Sequence, residues 1–368
     1  MELAFTEIIY IVFFVQSLFL IFALHFIPRK NKSANKVLQL LLGLYAISLF
    51  DRVSYVFLSI DQLFQYSYMF NGVYYLIGPL IYLYFKKLLL NQNNGLIFYH
   101  YLPVIIYMIY SIANAILFDT VSEISGYFYV YSFIFETTAV VSITFYLIKS
   151  KLILNLYKRQ EMIQLSFNQN VIKYLNPILV CVGVCAIIWT ISIISSYLFE
   201  YRVGYMDLVW MTFGIQIYII GFYSLKHPEI FKITPLEKKT EKSEKKERLS
   251  KEDIQKVQKL IDLYLDKNKG YLREDLSLSI LAKEVGTTSN SLSWLLNNVY
   301  QKTFYQFINE YRIKEFLARI DNNDHKELTL SSIAYEVGFK SKSTFYKVFK
   351  EVVKDTPSDY IKKMESNS

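Results

Sequence analysis

The chain has 368 residues, of which 53% are apolar and 17% aromatic, with a net charge of +8. Its mean hydropathy of +0.24 is too high for one soluble domain of this size. Charge is unevenly placed, because 27 of the 40 Lys and Arg residues lie from Lys226 onward, so a charge-poor N-terminal part precedes a polar, mildly basic C-terminal part.

Seven apolar runs are long enough to cross a hydrocarbon core of ~30 Å, which takes ~20 helical residues. They lie at about Phe5 to Ile27, Val37 to Ile60, Gly72 to Leu90, Ile97 to Phe118, Tyr127 to Ile148, Tyr174 to Phe199 and Tyr205 to Leu225. The first has no basic segment before it and no small-residue cleavage site after it, and it reads as a retained span. Lys and Arg accumulate in the first loop (Arg29, Lys30, Lys32, Lys36), the third (Lys86, Lys87) and the fifth (Lys149, Lys151, Lys158, Arg159, Lys173). The second and fourth loops carry none, so the positive-inside bias predicts the N-terminus outside and the C-terminus in the cytoplasm.

Polar groups within spans are functional candidates, because leaving them unpaired in lipid is costly. Asp51 and Arg52 in the second span, Asn114 in the fourth and Glu136 in the fifth fall at comparable outer depth. They suit a cavity for an extracytoplasmic ligand; an Arg52 pair with Glu136 or Asp51 that fixes helix packing is the equal alternative. Cys181 and Cys185, spaced i,i+4 on the sixth run, read as buried small hydrophobes.

Residues 227–252 form a charged linker, in which Lys and Glu are too dense to bury a core. From 253 to 365 the pattern is that of a soluble helical domain. Ile254, Val257, Leu260, Ile261 and Tyr264 predict an amphipathic helix ending near Lys269-Gly270, followed by a helix over Leu276 to Val285. Ser289 is a candidate cap for the next helix, with Leu292, Leu295 and Leu296 inward and Asn290, Ser291, Ser293, Trp294 and Asn297 outward. A helix over Phe304 to Ile320 joins this unit to a copy of itself. LAKEVG at Leu281 to Gly286 returns as IAYEVG at Ile333 to Gly338, and the copy ends in a helix with Phe345, Val348 and Phe349 inward. Lys342, Ser343, Tyr346, Lys347 and Lys350 lie on its outer face.

These residues resemble the AraC-type transcription regulators over roughly Lys251 to Lys363. The second unit carries IAYEVGF, then Ser341, Ser343, Phe345, Phe349 and Lys350, then Thr356-Pro357 and Tyr360; the first carries LAKEVG, Leu292, Leu296, Thr303-Phe304 and FINEYRI with Arg312. It departs from the family pattern at Lys354 and Gln301, where glycine is usual, and at Phe316. The resemblance implies two helix-turn-helix units meeting double-stranded DNA about one turn, ~10 bp, apart. By position it assigns base-edge contacts to Asn290, Ser293 and Trp294 and to Lys342, Ser343 and Lys347, with Asn297 and Tyr346 beside them. Lys302, Lys340 and Lys350 fall where phosphate is met. A bacterial origin and an inner-membrane location are implied by the resemblance alone.

The expected fold class is therefore all-α: a seven-helix transmembrane bundle over residues 1–226 and a tandem helix-turn-helix domain facing the cytoplasm. The expected partners are DNA and the lipid bilayer, with an extracytoplasmic ligand and a second copy of the chain left open. No catalytic, cofactor-binding or metal-ligating constellation stands out, and His25, His100, His227 and His325 are scattered. The alternative function is a seven-span sensor whose helix-turn-helix domain binds a protein partner.

Overall fold

A computed structural model describes residues 5–26, 31–54, 71–90, 98–117, 121–167, 169, 171–198, 205–226 and 251–366. The basic pair Arg29 and Lys30, the outer end expected for the second span and linker residues 227–250 lie outside the described residues. The chain forms two compact units, Met1–Leu156 with Asn170–Pro235, and Tyr157–Gln169 with Leu236–Ser368.

The first unit is built from α1 (Phe5–Phe26), α2 (Lys32–Ser54), α3 (Tyr74–Leu90), α4 (Leu102–Leu117), α5 (Val121–Gln164) as far as Leu156, α6 (Val171–Leu198) and α7 (Tyr205–Lys226). Among the described residues, six of these helices are long and apolar enough to cross a membrane. The exception is α4, whose 16 residues reach about 24 Å at 1.5 Å per residue. By contrast α5 runs for 44 residues, about 66 Å on the same rise, twice what a hydrocarbon core requires. Its sequence signal fades at Ile148 because the later turns carry Lys149, Lys151, Lys158 and Arg159, which charge the helix without breaking it.

On α1 the buried residues Tyr10, Ser17, Leu20 and Leu24 recur on one face, while Ile8, Val12, Val15, Phe19 and Phe22 are exposed on the others. A helix with apolar groups on every face belongs in a surround as apolar as itself. Polar ties fix the neighbours: Ser17 Oγ donates to the Leu42 carbonyl at 2.8 Å, and Tyr45 Oη donates to Gln216 Oε1 at 2.7 Å. Cys181 and Cys185 are buried free thiols.

The second unit contains α8 (Lys251–Asp262), α9 (Leu278–Glu284), α10 (Ser289–Asn298), α11 (Phe304–Asp321), α12 (Leu330–Glu336), α13 (Lys342–Val353) and α14 (Pro357–Ser366). Side-chain oxygens punctuate it: Ser277, Thr288, Thr303, Thr329 and Ser341 each accept a backbone N–H at the start of α9 to α13. Thr303 and Gln306 close a reciprocal capping box. Thr356 accepts from the Asp359 amide at 3.2 Å, with Pro357 in the first position of α14, where its missing N–H costs nothing.

Two cores sit on one shared helix. Val257, Ile261, Leu265, Leu281, Leu292 and Leu295 pack with Phe304, Phe307 and Ile308 from the first half of α11. Ile333, Val337, Phe345 and Phe349 pack with Ile313, Phe316 and Ile320 from its second half. Residues 157–169, placed on sequence within the membrane domain, cluster here instead, and Met162 packs against the second core.

Candidate nucleic-acid interface

On α13 the apolar and basic faces are separated as the sequence predicts. Phe345, Val348 and Phe349 are buried, while Lys342, Ser343, Lys347 and Lys350 are exposed. Tyr346 is half-buried against the core, and the Lys342 Nζ lies 5.4 Å from its ring centroid. Lys347 is loosely paired with Glu351 at 3.8 Å, one helical turn on. Lys340 stands two residues before α13, with its Nζ 3.6 Å from the ring centroid of Phe167.

The first unit's α10 presents a different surface. Leu292, Leu295 and Leu296 are buried as expected, but so is Ser291, whose hydroxyl accepts from Thr288 at 2.9 Å. Thr288, one residue before the predicted Ser289, is the cap. Trp294 is half-buried against the first core, so much of its indole is committed to packing. Asn290 is exposed, Ser293 is partly so, and the exposed Asn297 donates its amide to the Ser293 carbonyl at 2.8 Å. Lys302 is engaged by the Glu310 carboxylate. The first outward helix thus offers neutral hydrogen-bonding groups and the second offers cations.

Residues 281–363 match a family model described as a helix-turn-helix domain. The C-terminal region is an AraC-type helix-turn-helix domain. Uncharacterized HTH-type transcriptional regulators of Staphylococcus aureus strains COL and MSSA476 are each 33% identical over 90 residues, 24% of this chain. The aligned part spans only 12% of the length of those relatives. No solved structure matches the chain significantly.

The AraC-type domain departs from the glycines usual in its family at Gln301 and Lys354, and both residues are in the left-handed region, at φ 53° and 66°. The turns keep the backbone that glycine would supply and hold side chains there under strain. Phe316, the third departure, fills the second core with no exposed surface and packs edge-on against Phe349.

Between the two cores lies a buried joint that the sequence reading did not foresee. Arg312, fully buried, donates from Nε to the Tyr271 carbonyl and from Nη2 to the Arg273 carbonyl, both at 2.8 Å. Its Nη1 donates to the Ser166 carbonyl at 3.2 Å, which also accepts from Asn309 Nδ2 at 3.1 Å. Burial pulls the guanidinium down to about 10. The Ser166 backbone is held in turn by Leu276: its N–H and hydroxyl both donate to the Leu276 carbonyl, at 3.4 and 2.7 Å, and Leu165 bridges to Ser277.

In the first unit, Arg52 Nη2 donates to Asp207 Oδ1 at 3.1 Å, and Tyr10 Oη donates to the same oxygen at 2.8 Å. The guanidinium lies 4.8 Å from the Trp210 ring centroid. Asp51 is buried beside Arg52 in the chain and Glu136 is half-buried on α5, while the Asn114 side chain lies outside the described residues. Asp207, Tyr10 and Trp210 were missed on sequence. The available signal was a lone carboxylate in the first turn of the last span, at the outer depth of Arg52.

Proposed function

We propose that the chain is a membrane-tethered, sequence-specific DNA-binding transcription regulator, and that its membrane unit receives an extracytoplasmic input. The observation that carries this reading is the exposed face of α13, where Lys342, Ser343, Lys347 and Lys350 stand together on a rigid, capped helix in a chain that also holds six span-length apolar helices. Lysine reaches guanine acceptors and phosphate oxygens, so this face suits the major groove. The neutral groups of α10, led by Asn290, suit base-edge readout with little electrostatic contribution. Seven spans, with α4 as the short one, would put the AraC-type domain in the cytoplasm, as the loop charges require. The relatives named above are described as transcriptional regulators, which supports the same reading for this domain.

The test is capture of genomic DNA crosslinked to the full-length protein in cells, beside a Lys342→Glu, Lys347→Glu variant. Discrete sites lost in the variant are expected. Identical weak capture by both proteins would end the DNA reading and favour a protein partner for this domain.

A further inference from the structure

Residues 165–167 lie between two span-forming helices in the chain, yet they are built into the second unit. Leu165, Ser166 and Phe167 are all buried there. Glu161 Oε1 accepts the Gln169 amide at 2.7 Å, closing the short connection on itself. Its Ser166 carbonyl answers two buried donors of the joint, and its Phe167 ring sits under the ammonium of Lys340.

We propose that this segment is an inhibitory strap: while Phe167 holds Lys340, that lysine is withheld from DNA phosphate, and movement of α5 or α6 withdraws the strap and releases it. The inference rests on the DNA-binding reading above. Lys340 directly precedes Ser341, the cap of α13, so its side chain belongs to the lip of the recognition helix. A cation on an aromatic face at an exposed site is held weakly, so a DNA phosphate can compete with the Phe167 ring for Lys340. A small bias from the attached helices is then enough to shift the balance. The chain supplies that link, since the strap begins at the last turn of α5, a helix that carries a span, and ends at the first turn of α6, another.

The test uses full-length protein in lipid nanodiscs and a fluorescent random-sequence duplex of about 30 bp, long enough for two major-groove contacts about 10 bp apart. Phe167→Leu keeps the apolar volume and removes the ring, and Phe167→Ala removes both. Both variants are expected to bind about two- to fivefold tighter than wild type, the fold-change matching an exposed cation–π contact. Their plots of log affinity against log salt should be steeper by about 0.9, the increment for one added phosphate contact. Unchanged affinity and slope in both variants, or weaker binding by Phe167→Leu, would overturn the strap while leaving the DNA reading in place. A wild-type protein that binds no duplex would overturn both.

Discussion

Gly338 and Arg312 are packed so closely that a β-carbon on the glycine would come within 2.9 Å of the guanidinium Nε, and within 2.7 Å of the Tyr271 carbonyl that Nε is bonded to. Gly338 also sits at φ +99°. Its repeat partner Gly286, at φ +67°, has nothing within 4 Å of that position. Gly338→Ala is therefore expected to cost the second unit at least about 3 kcal/mol, from backbone strain plus a clash with fixed groups, and Gly286→Ala about 1 kcal/mol from strain alone. Hydrogen-exchange protection of peptides within residues 251–366 measures both; equal losses would disprove the argument.

Lys354 and Gln301 supply the converse case. Each holds a left-handed backbone that glycine adopts without steric penalty, so Lys354→Gly is expected to stabilise the unit by about 0.5 to 1 kcal/mol. Gln301→Gly should gain less, because it also loses the Gln301 amide bond to the Asn298 carbonyl. Thermal unfolding of the two variants should rank them in that order.

The period of Phe345, Val348 and Phe349 against Lys342, Lys347 and Lys350 is local, and a local period survives folding, so the two faces of α13 were legible, except that Tyr346, expected on the outer face, is half-buried against the core. On α10 the same logic put Ser291 outside, because a small polar residue inside a cap interaction has no sequence period of its own. The Arg312 bond to Ser166 and the pairing of Arg52 with Asp207 join residues over 140 positions apart. No window along the chain contains both partners. The charged turns of α5 hid the continuation of that helix, since hydropathy marks where lipid ends and not where a helix ends.

Glu315 gives the second unit a pH dependence. Burial works to raise its pKa, but bonds from Lys269 at 2.7 Å and Tyr271 Oη at 2.8 Å prevail and hold the carboxyl below its usual range. A carboxyl depressed in the folded state contributes stability that is present above its unfolded value of about 4.3 and is lost as pH falls through the lower folded value. Acid titration of unfolding should show that loss in wild type. Glu315→Gln should flatten it, and a parallel acid profile in the variant would assign the effect elsewhere.

In the first unit, Arg52 and Asp207 are about one-third exposed, so their pairing is expected to be modest. Arg52→Ala and Asp207→Asn should each lower the thermal midpoint in detergent. The double variant should fall short of their sum by about 1 kcal/mol, the coupling of one pair. Strict additivity would show that the two charges are held independently.

The Ser166 carbonyl that completes the Arg312 joint comes from chain positions before α6, which bears on how the protein's output could be timed. A protease cutting between α7 and α8 would free a reader that leaves residues 165–167 behind. Such a fragment would have lost the ring over Lys340 and one acceptor for a buried guanidinium, so it is expected to bind without restraint and to unfold and be degraded quickly. Its action would last as long as the fragment does, making the cut a pulse rather than a switch. Pulse-chase decay of residues 236–368 expressed alone, compared with the intact chain, reads that lifetime directly; an equally long-lived fragment would remove the timer.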